Sequence, residues 1–153
     1  MDAIWKIGSN AADHYPTLTH HIDADVAIIG AGITGLTTAE RLAETGLSLV
    51  VIEALTVGKG GTGSTGNLYS ILASGLAPLR KKWGDDIVRK VVTSRSQAID
   101  NIEEDVERFG IDCQFHRRPL YRIATNEDKK IVNMLDAEHE AMVLAGLNVE
   151  TIE

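Results

Sequence analysis

The sequence predicts an α/β fold built on a parallel β-α-β unit, and three observations carry that prediction. Residues 26–29 form a continuous apolar run and 47–52 another punctuated only by Ser48, as strands buried on both faces would be. Residues 33–45 between them change to a helical period, and Gly30 and Gly46 mark the two changes of direction.

Taken in order, residues 1–24 read as an irregular lead-in, with Tyr15-Pro16 favouring an extended turn and His20-His21 forming no ligand pattern. The first strand, 26–29, stops at Gly30. Along 33–45, Ile33, Leu36, Ala39 or Glu40, Leu42 and Ala43 form the apolar stripe of a helix that Gly46 ends. The second strand, 47–52, closes on Glu53, and the crossover is expected to be right-handed. Gly58, Gly60, Gly61, Gly63 and Gly66 follow so closely that no regular element is expected there. Asp85 then caps a long helix to about Phe109, with Ile87, Val91, Ala98, Ile102, Val106 and Phe109 as its apolar stripe and Gly110 as its stop. Residues 111–115 and 120–125 read as short strands joined by His116-Arg117-Arg118-Pro119. Thr125 with Asp128 resembles a capping box for a last helix to about Ala145, ended by Gly146, and 147–152 begins another strand.

Composition narrows the function. A hydrophobic fraction of 44% and a charged fraction of 24% are those of a globular, folding chain. Fifteen Lys and Arg against 22 Asp and Glu give a formal charge of −7, which repels nucleic-acid phosphates and anionic lipid. The single cysteine, Cys113, forms no internal disulfide, and with five scattered histidines it offers no metal-binding spacing. No apolar stretch at the N-terminus reads as a secretory signal, and the longest uncharged, largely apolar stretch, 26–39, is too short to span a bilayer. Cytoplasmic residence is the expectation.

The chemistry concentrates at Gly30-Ala31-Gly32-Ile33-Thr34-Gly35. This G-x-G-x-x-G run follows a strand and opens a helix, and the acidic Glu53 ends the next strand 23 residues after Gly30. Gly30 permits the tight turn, Gly32 admits a pyrophosphate against the backbone, and Gly35 with Ala39 lets the helix approach the sheet. The helix start offers unpaired N–H groups and partial positive charge to a diphosphate. Glu53 is placed to accept hydrogen bonds from both ribose hydroxyls, and its charge disfavours a 2′-phosphate, which leaves FAD or NAD. The glycine-rich stretch 58–67 is either a plain surface loop or backbone that presses against a second part of the same cofactor.

The runs 25–39, 51–54 and 60–67 resemble the N-terminus of FAD-dependent oxidoreductases of the D-amino-acid oxidase family. Phe109-Gly110-Ile111-Asp112-Cys113 and Leu120-Tyr121-Arg122-Ile123-Ala124 are similar to the long helix and substrate-domain strands of the branch that holds gamma-glutamylputrescine oxidoreductases. The resemblance implies a Rossmann-type βαβ FAD-binding unit, a long helix and the start of an α+β substrate domain, and hence an incomplete, N-terminal part of such a protein. It divides the chain into 1–24, a lead-in, 25–78, the FAD-binding unit with its Gly-rich loop, and 79–153, the helical segment with the beginning of the substrate domain. The cofactor residues it implies are Gly30, Gly32, Ile33, Thr34, Gly35, Glu53, Ala54, Gly61, Thr62, Thr65 and Gly66. The loop ends in Ser64-Thr65-Gly66-Asn67, a departure from the family's commoner form that is closer to relatives with a fused Rieske domain, although a chain with one cysteine has no Rieske ligand set.

The activity implied is oxidation of an amine or amino acid by hydride transfer to the flavin, with no catalytic residue assignable and no turnover expected from these residues alone. Two other readings share the glycines: a non-catalytic dinucleotide-binding fragment and an NAD-binding Rossmann domain of a dehydrogenase. His116-Arg117-Arg118 is either a polar turn or a carboxylate-binding group, Cys113 is expected as a small core residue, and Glu103-Glu104-Asp105 with Glu107 as a solvated helix face.

Overall fold

A computed structural model describes residues 15–124 and 129–152. The chain divides into two compact units, the first ending at Asn67 and the second beginning at Leu68.

The first unit is the β-α-β element. Strand β1, Val26–Ile29, leads through a glycine turn into helix α1, Ile33–Ala43, and the chain returns as β2, Leu49–Ile52. The strands pair in parallel, with Val26 opposite Leu49 and Ile29 opposite Ile52. A clamp beside the first pair fixes that register: the Asp25 carboxylate accepts the Ser48 N–H at 2.9 Å and the Ser48 hydroxyl at 2.7 Å, while the Asp25 N–H donates to Ser48 Oγ at 2.9 Å. Gly46, at φ +78°, turns the chain out of α1, its N–H bonded to the Ala43 carbonyl.

The strands are not buried on both faces as their apolar runs predict. Two strands make up the described sheet, and Ile29 is 79% exposed. With α1 as the only α-helix among the described residues of this unit, one layer cannot cover two faces. The predicted stripe of α1 is sheltered only in part: Ala39, Glu40 and Leu42 are half-buried together with Gly35, whereas Ile33, Leu36 and Ala43 are exposed. A 3-10 turn, Thr62–Ser64, interrupts the glycine-rich stretch where no regular element is expected.

The second unit is helical. Helix α2, Ala77–Trp83, has no counterpart in the sequence reading; it is followed by α3, Asp85–Arg108, and α4, Lys129–Leu144. Ile71, Leu76, Val88, Val92 and Ala141 form the core, with Leu79, Met142 and Leu147 packed around it. The buried face of α3 is therefore Val88 and Val92, one position along from the predicted Ile87 and Val91, and Ile87, Ala98 and Phe109 are exposed. Asp85 does not cap α3. Gly84 holds the N-cap position, and the Asp85 carboxylate accepts Arg80 Nε at 2.8 Å instead.

Helix ends α3 and α4 follow their glycines. The Gly110 N–H bonds to the Glu107 carbonyl and the Ile111 N–H to Val106, and Gly146 and Leu147 repeat the pattern on Val143 and Met142. This is the paired 5→2 and 6→1 closure that a left-handed glycine allows. The strands predicted over 111–115, 120–125 and 147–152 are absent among the described residues, because no partner chain segment pairs with them. Cys113 is accordingly exposed rather than in the core. Thr125, Asp128 and the capping box they predict lie outside the described residues, as do residues 1–14 of the lead-in.

Candidate cofactor site

The site grows from the end of β1. The Gly30 N–H closes the last rung of the ladder on the Ile52 carbonyl at 2.7 Å, and φ of +98° at Gly30 then swings the chain out of the strand. A side chain at Gly35 is sterically excluded, since its Cβ would stand 1.9 Å from the Gly30 carbonyl oxygen. The first turn of α1 thus rests directly on the glycine turn, as the third glycine of the motif predicts.

Ala31 is the hub of the arrangement and is 2% exposed. Its N–H donates to Glu53 Oε2 at 2.8 Å, and its carbonyl accepts the Gly58 N–H at 2.9 Å. The other Glu53 oxygen accepts the Leu55 N–H at 2.9 Å. The Ala31 amide foremost, then that of Leu55, with a smaller contribution from Ala54, holds the Glu53 carboxyl below its ordinary value of 4.5, against a push upward from burial. A carboxylate offers about four lone-pair sites, so Glu53 retains acceptor capacity beyond these bonds.

The start of α1 has no cap of its own, because Gly32 at the N-cap has no side chain. Thr62 supplies one from the glycine-rich segment: its Oγ1 accepts the Ile33 N–H at 2.9 Å and lies 3.2 Å from where a Gly32 Cβ would be. Thr65 turns its hydroxyl inward, donating to the Gly61 carbonyl at 2.9 Å. The Thr34 carbonyl is occupied by the Thr38 hydroxyl at 2.7 Å. Of the residues predicted from sequence, Gly30, Gly32, Ile33, Gly35, Glu53, Ala54 and Thr62 gather around Ala31. Thr65 braces the 3-10 turn, and Gly66 is an exposed residue beyond it. Ala31 and Leu55 were not singled out by the sequence, and Gly58 only as the start of the glycine-rich stretch 58–67; a small residue inside the G-x-G run was the one signal for Ala31.

These residues fit an adenosine diphosphate group. A glycine-lined turn lets an anion reach the backbone, a helix start faces it, and a carboxylate with spare acceptor sites ends the adjacent strand. Among the described residues no group of three or more His, Cys, Asp and Glu side chains is arranged to hold a metal ion. No helix among them is long and apolar enough to cross a membrane.

The second unit contains paired charges. Arg117 lies against α3, with Nε donating to Glu103 at 2.8 Å and Nη2 to Asp100 at 2.6 Å; both bonds raise its pKa. Of the three residues His116-Arg117-Arg118, Arg117 is thereby committed to the chain's own carboxylates, and Glu103 is not merely a solvated charge. An open groove between α2 and α4 carries Arg80, Asp85, Arg122, Glu138 and Glu140, and these also pair among themselves.

Residues 25–153 match the family described as FAD dependent oxidoreductase. The chain is 33% identical over 128 residues to a probable oxidoreductase, OrdL, of Haemophilus influenzae, an alignment covering 83% of this chain and 29% of that protein. It is 32% identical over 133 residues to the gamma-glutamylputrescine oxidoreductase of Escherichia coli, covering 82% and 31%. It is 30% identical over 153 residues to a putative Rieske 2Fe-2S iron-sulfur protein, YhfW, of Bacillus subtilis, covering 99% and 30%. The chain therefore spans about 30% of the length of these three curated relatives. No solved structure matches it significantly.

Proposed function

Because the chain belongs to the FAD dependent oxidoreductase family, we propose that its first unit holds the adenosine diphosphate half of FAD in a protein that oxidises an amine or an amino acid. The observation that carries the reading is the bond between the Ala31 N–H and the Glu53 carboxylate, which ties the end of β2 to the glycine turn two residues before the start of α1. In this reading Gly32 leaves the backbone open to the diphosphate, and the Ile33 amide with the helix dipole binds it. Glu53 accepts from the ribose hydroxyls while its bonds to Ala31 and Leu55 orient it. FAD, when bound, supplies the two-electron acceptor; the protein's share is binding and orientation.

The amine or amino-acid substrate rests on the 32% identity to the gamma-glutamylputrescine oxidoreductase and on the family resemblance. We assign no residue of this chain to the substrate, and we expect these 153 residues to bind cofactor without turning over substrate. Purified chain saturated with FAD and passed through a desalting column is expected to keep the yellow flavin absorbance. A titration in which NADH binds and FAD does not would replace this reading with that of a nicotinamide-binding domain. Sustained peroxide release from a panel of amines, well above that of free FAD, would overturn the expected lack of turnover.

A further inference from the structure

We infer that Asp25 and Ser48 are positioning residues for the candidate cofactor site: their mutual bonds at one end of the ladder set the rung that β2 occupies, and so bring the Glu53 carboxylate to the Ala31 amide at the other end. The ligand side of this inference rests on the proposed reading of residues 30–35 and Glu53 as a dinucleotide site. Val26 stands opposite Leu49 and Ile29 opposite Ile52, so each residue of β1 faces the one 23 positions later. Asp25 and Ser48 have that same separation, and so do Gly30 and Glu53. The clamp and the carboxylate are thus two ends of one register.

Apolar burial does little to select that register. β1 reads Val-Ala-Ile-Ile and β2 reads Leu-Val-Val-Ile, so a slip exchanges one apolar side chain for another. Backbone ladder bonds can re-form after a slip, and among the described residues no third strand pins the pair. The side-chain bonds cannot re-form. Asp25 Oδ2 accepts the Ser48 N–H at 2.9 Å and its hydroxyl at 2.7 Å, and Ser48 Oγ accepts the Asp25 N–H at 2.9 Å, so all three fail together if β2 moves. One residue along a parallel strand is about 3.3 Å, which carries Glu53 Oε2 off the Ala31 N–H that it accepts at 2.8 Å. The amides of residues 30–35 belong to one continuous stretch and meet a diphosphate in any register. The ribose acceptor comes from the other strand, so it is the ribose contact that the clamp governs.

The test uses ADP and 2′-deoxy-ADP as probes on the full chain, with site-resolved amide exchange on the unliganded protein. In Asp25→Ala, which removes both carboxylate bonds of the clamp, the Ala31 amide should exchange faster by roughly two- to tenfold, the range that a lost hydrogen bond gives. The Leu36 amide, bonded to the Gly32 carbonyl within α1, should keep its rate. ADP should bind more weakly by a similar factor, and the preference for ADP over 2′-deoxy-ADP should shrink. Asp25→Asn, whose amide oxygen still accepts from Ser48, should behave as the wild type. Equal acceleration at Ala31 and Leu36, or equal weakening of both nucleotides with the wild-type preference intact, would reduce the clamp to general stability and overturn the positioning role. A wild-type chain that binds no ADP, or that binds 2′-deoxy-ADP equally well, would overturn the dinucleotide or the ribose reading instead. The Ala31 exchange rate, measured without ligand, would still decide whether Asp25 and Ser48 place Glu53.

Discussion

Both carboxylate oxygens of Glu138, on α4, accept the Leu76 N–H at the start of α2, at 2.7 and 2.8 Å, and Oε2 also accepts the Ala77 N–H at 2.8 Å. Leu76 has no side chain able to cap α2, so a residue 62 positions away does it. Glu138 is 3% exposed, and Arg122 approaches it at 3.5 Å. Replacing it with Ala leaves two sheltered amides without an acceptor and an arginine without its partner. Glu138→Ala is expected to cost the second unit about 2–4 kcal/mol, and Glu138→Gln less, because its amide oxygen still accepts. Urea unfolding followed by helical circular dichroism measures this; a loss within the scatter of an ordinary surface substitution would deny Glu138 the capping role.

Two glycines of the first unit should respond in opposite ways to the same added methyl group. At Gly35 the new Cβ would stand 1.9 Å from a backbone oxygen, and no side-chain movement can relieve that. At Gly60 nothing lies within 4 Å. Gly35→Ala is therefore expected to lose both the fold of the first unit and its dinucleotide binding, while Gly60→Ala binds ADP as the wild type does. A Gly35→Ala protein with normal ADP affinity would contradict the close seating of α1 on the Gly30 turn.

The contrast between the legible and illegible parts of this chain is one of range. Strands β1 and β2, helix α1 and the stops at Gly46, Gly110 and Gly146 are written in residues a few positions apart, so the sequence carries them. The face of α3 is not local. Ile87-Val88 and Val91-Val92 offer two adjacent stripes with the same spacing, and packing against α2 and α4 selects Val88 and Val92. Helix α2 escaped because its cap is Glu138, far along the chain, rather than a neighbour. Residues 111–115 and 120–124 alternate as strands do, but a strand exists only when another pairs with it. At the site, Gly30, Gly32, Gly35 and Glu53 were legible from spacing. The Thr62 bond to Ile33 was not, because it spans a loop whose conformation no short pattern encodes.

The first unit should weaken in acid through two carboxylates. Asp25, bonded foremost to the Ser48 hydroxyl and then to its amide, and Glu53, bonded to Ala31 and Leu55, both have folded pKa values below their ordinary 3.8 and 4.5. With the folded value the lower one, the unfolded chain takes up protons first as pH falls. The stabilisation is therefore complete above 4.5 for Glu53 and above 3.8 for Asp25, and is lost as pH drops through each lowered folded value. Denaturation of wild type, Asp25→Asn and Glu53→Gln across this acid range should show a shallower pH slope in each variant. An unchanged slope in both would place the acid sensitivity elsewhere.

The ribose contact of Glu53 needs a test that separates ligand binding from loop support, because the same carboxylate holds the Ala31 and Leu55 amides. Glu53→Ala should weaken ADP binding roughly ten- to a hundredfold, as expected for charge-assisted hydrogen bonds to hydroxyls, but loss of the loop alone would also weaken it. A cycle with 2′-deoxy-ADP resolves the two. In the wild type, removing the 2′-hydroxyl should itself reduce affinity, since a charged acceptor loses its donor. In Glu53→Ala the same removal should have little further effect, because the partner is already gone. If the deoxy analogue loses as much affinity in the variant as in the wild type, the hydroxyl is bound by another group, and Glu53 serves only to tie Ala31 to the segment after β2.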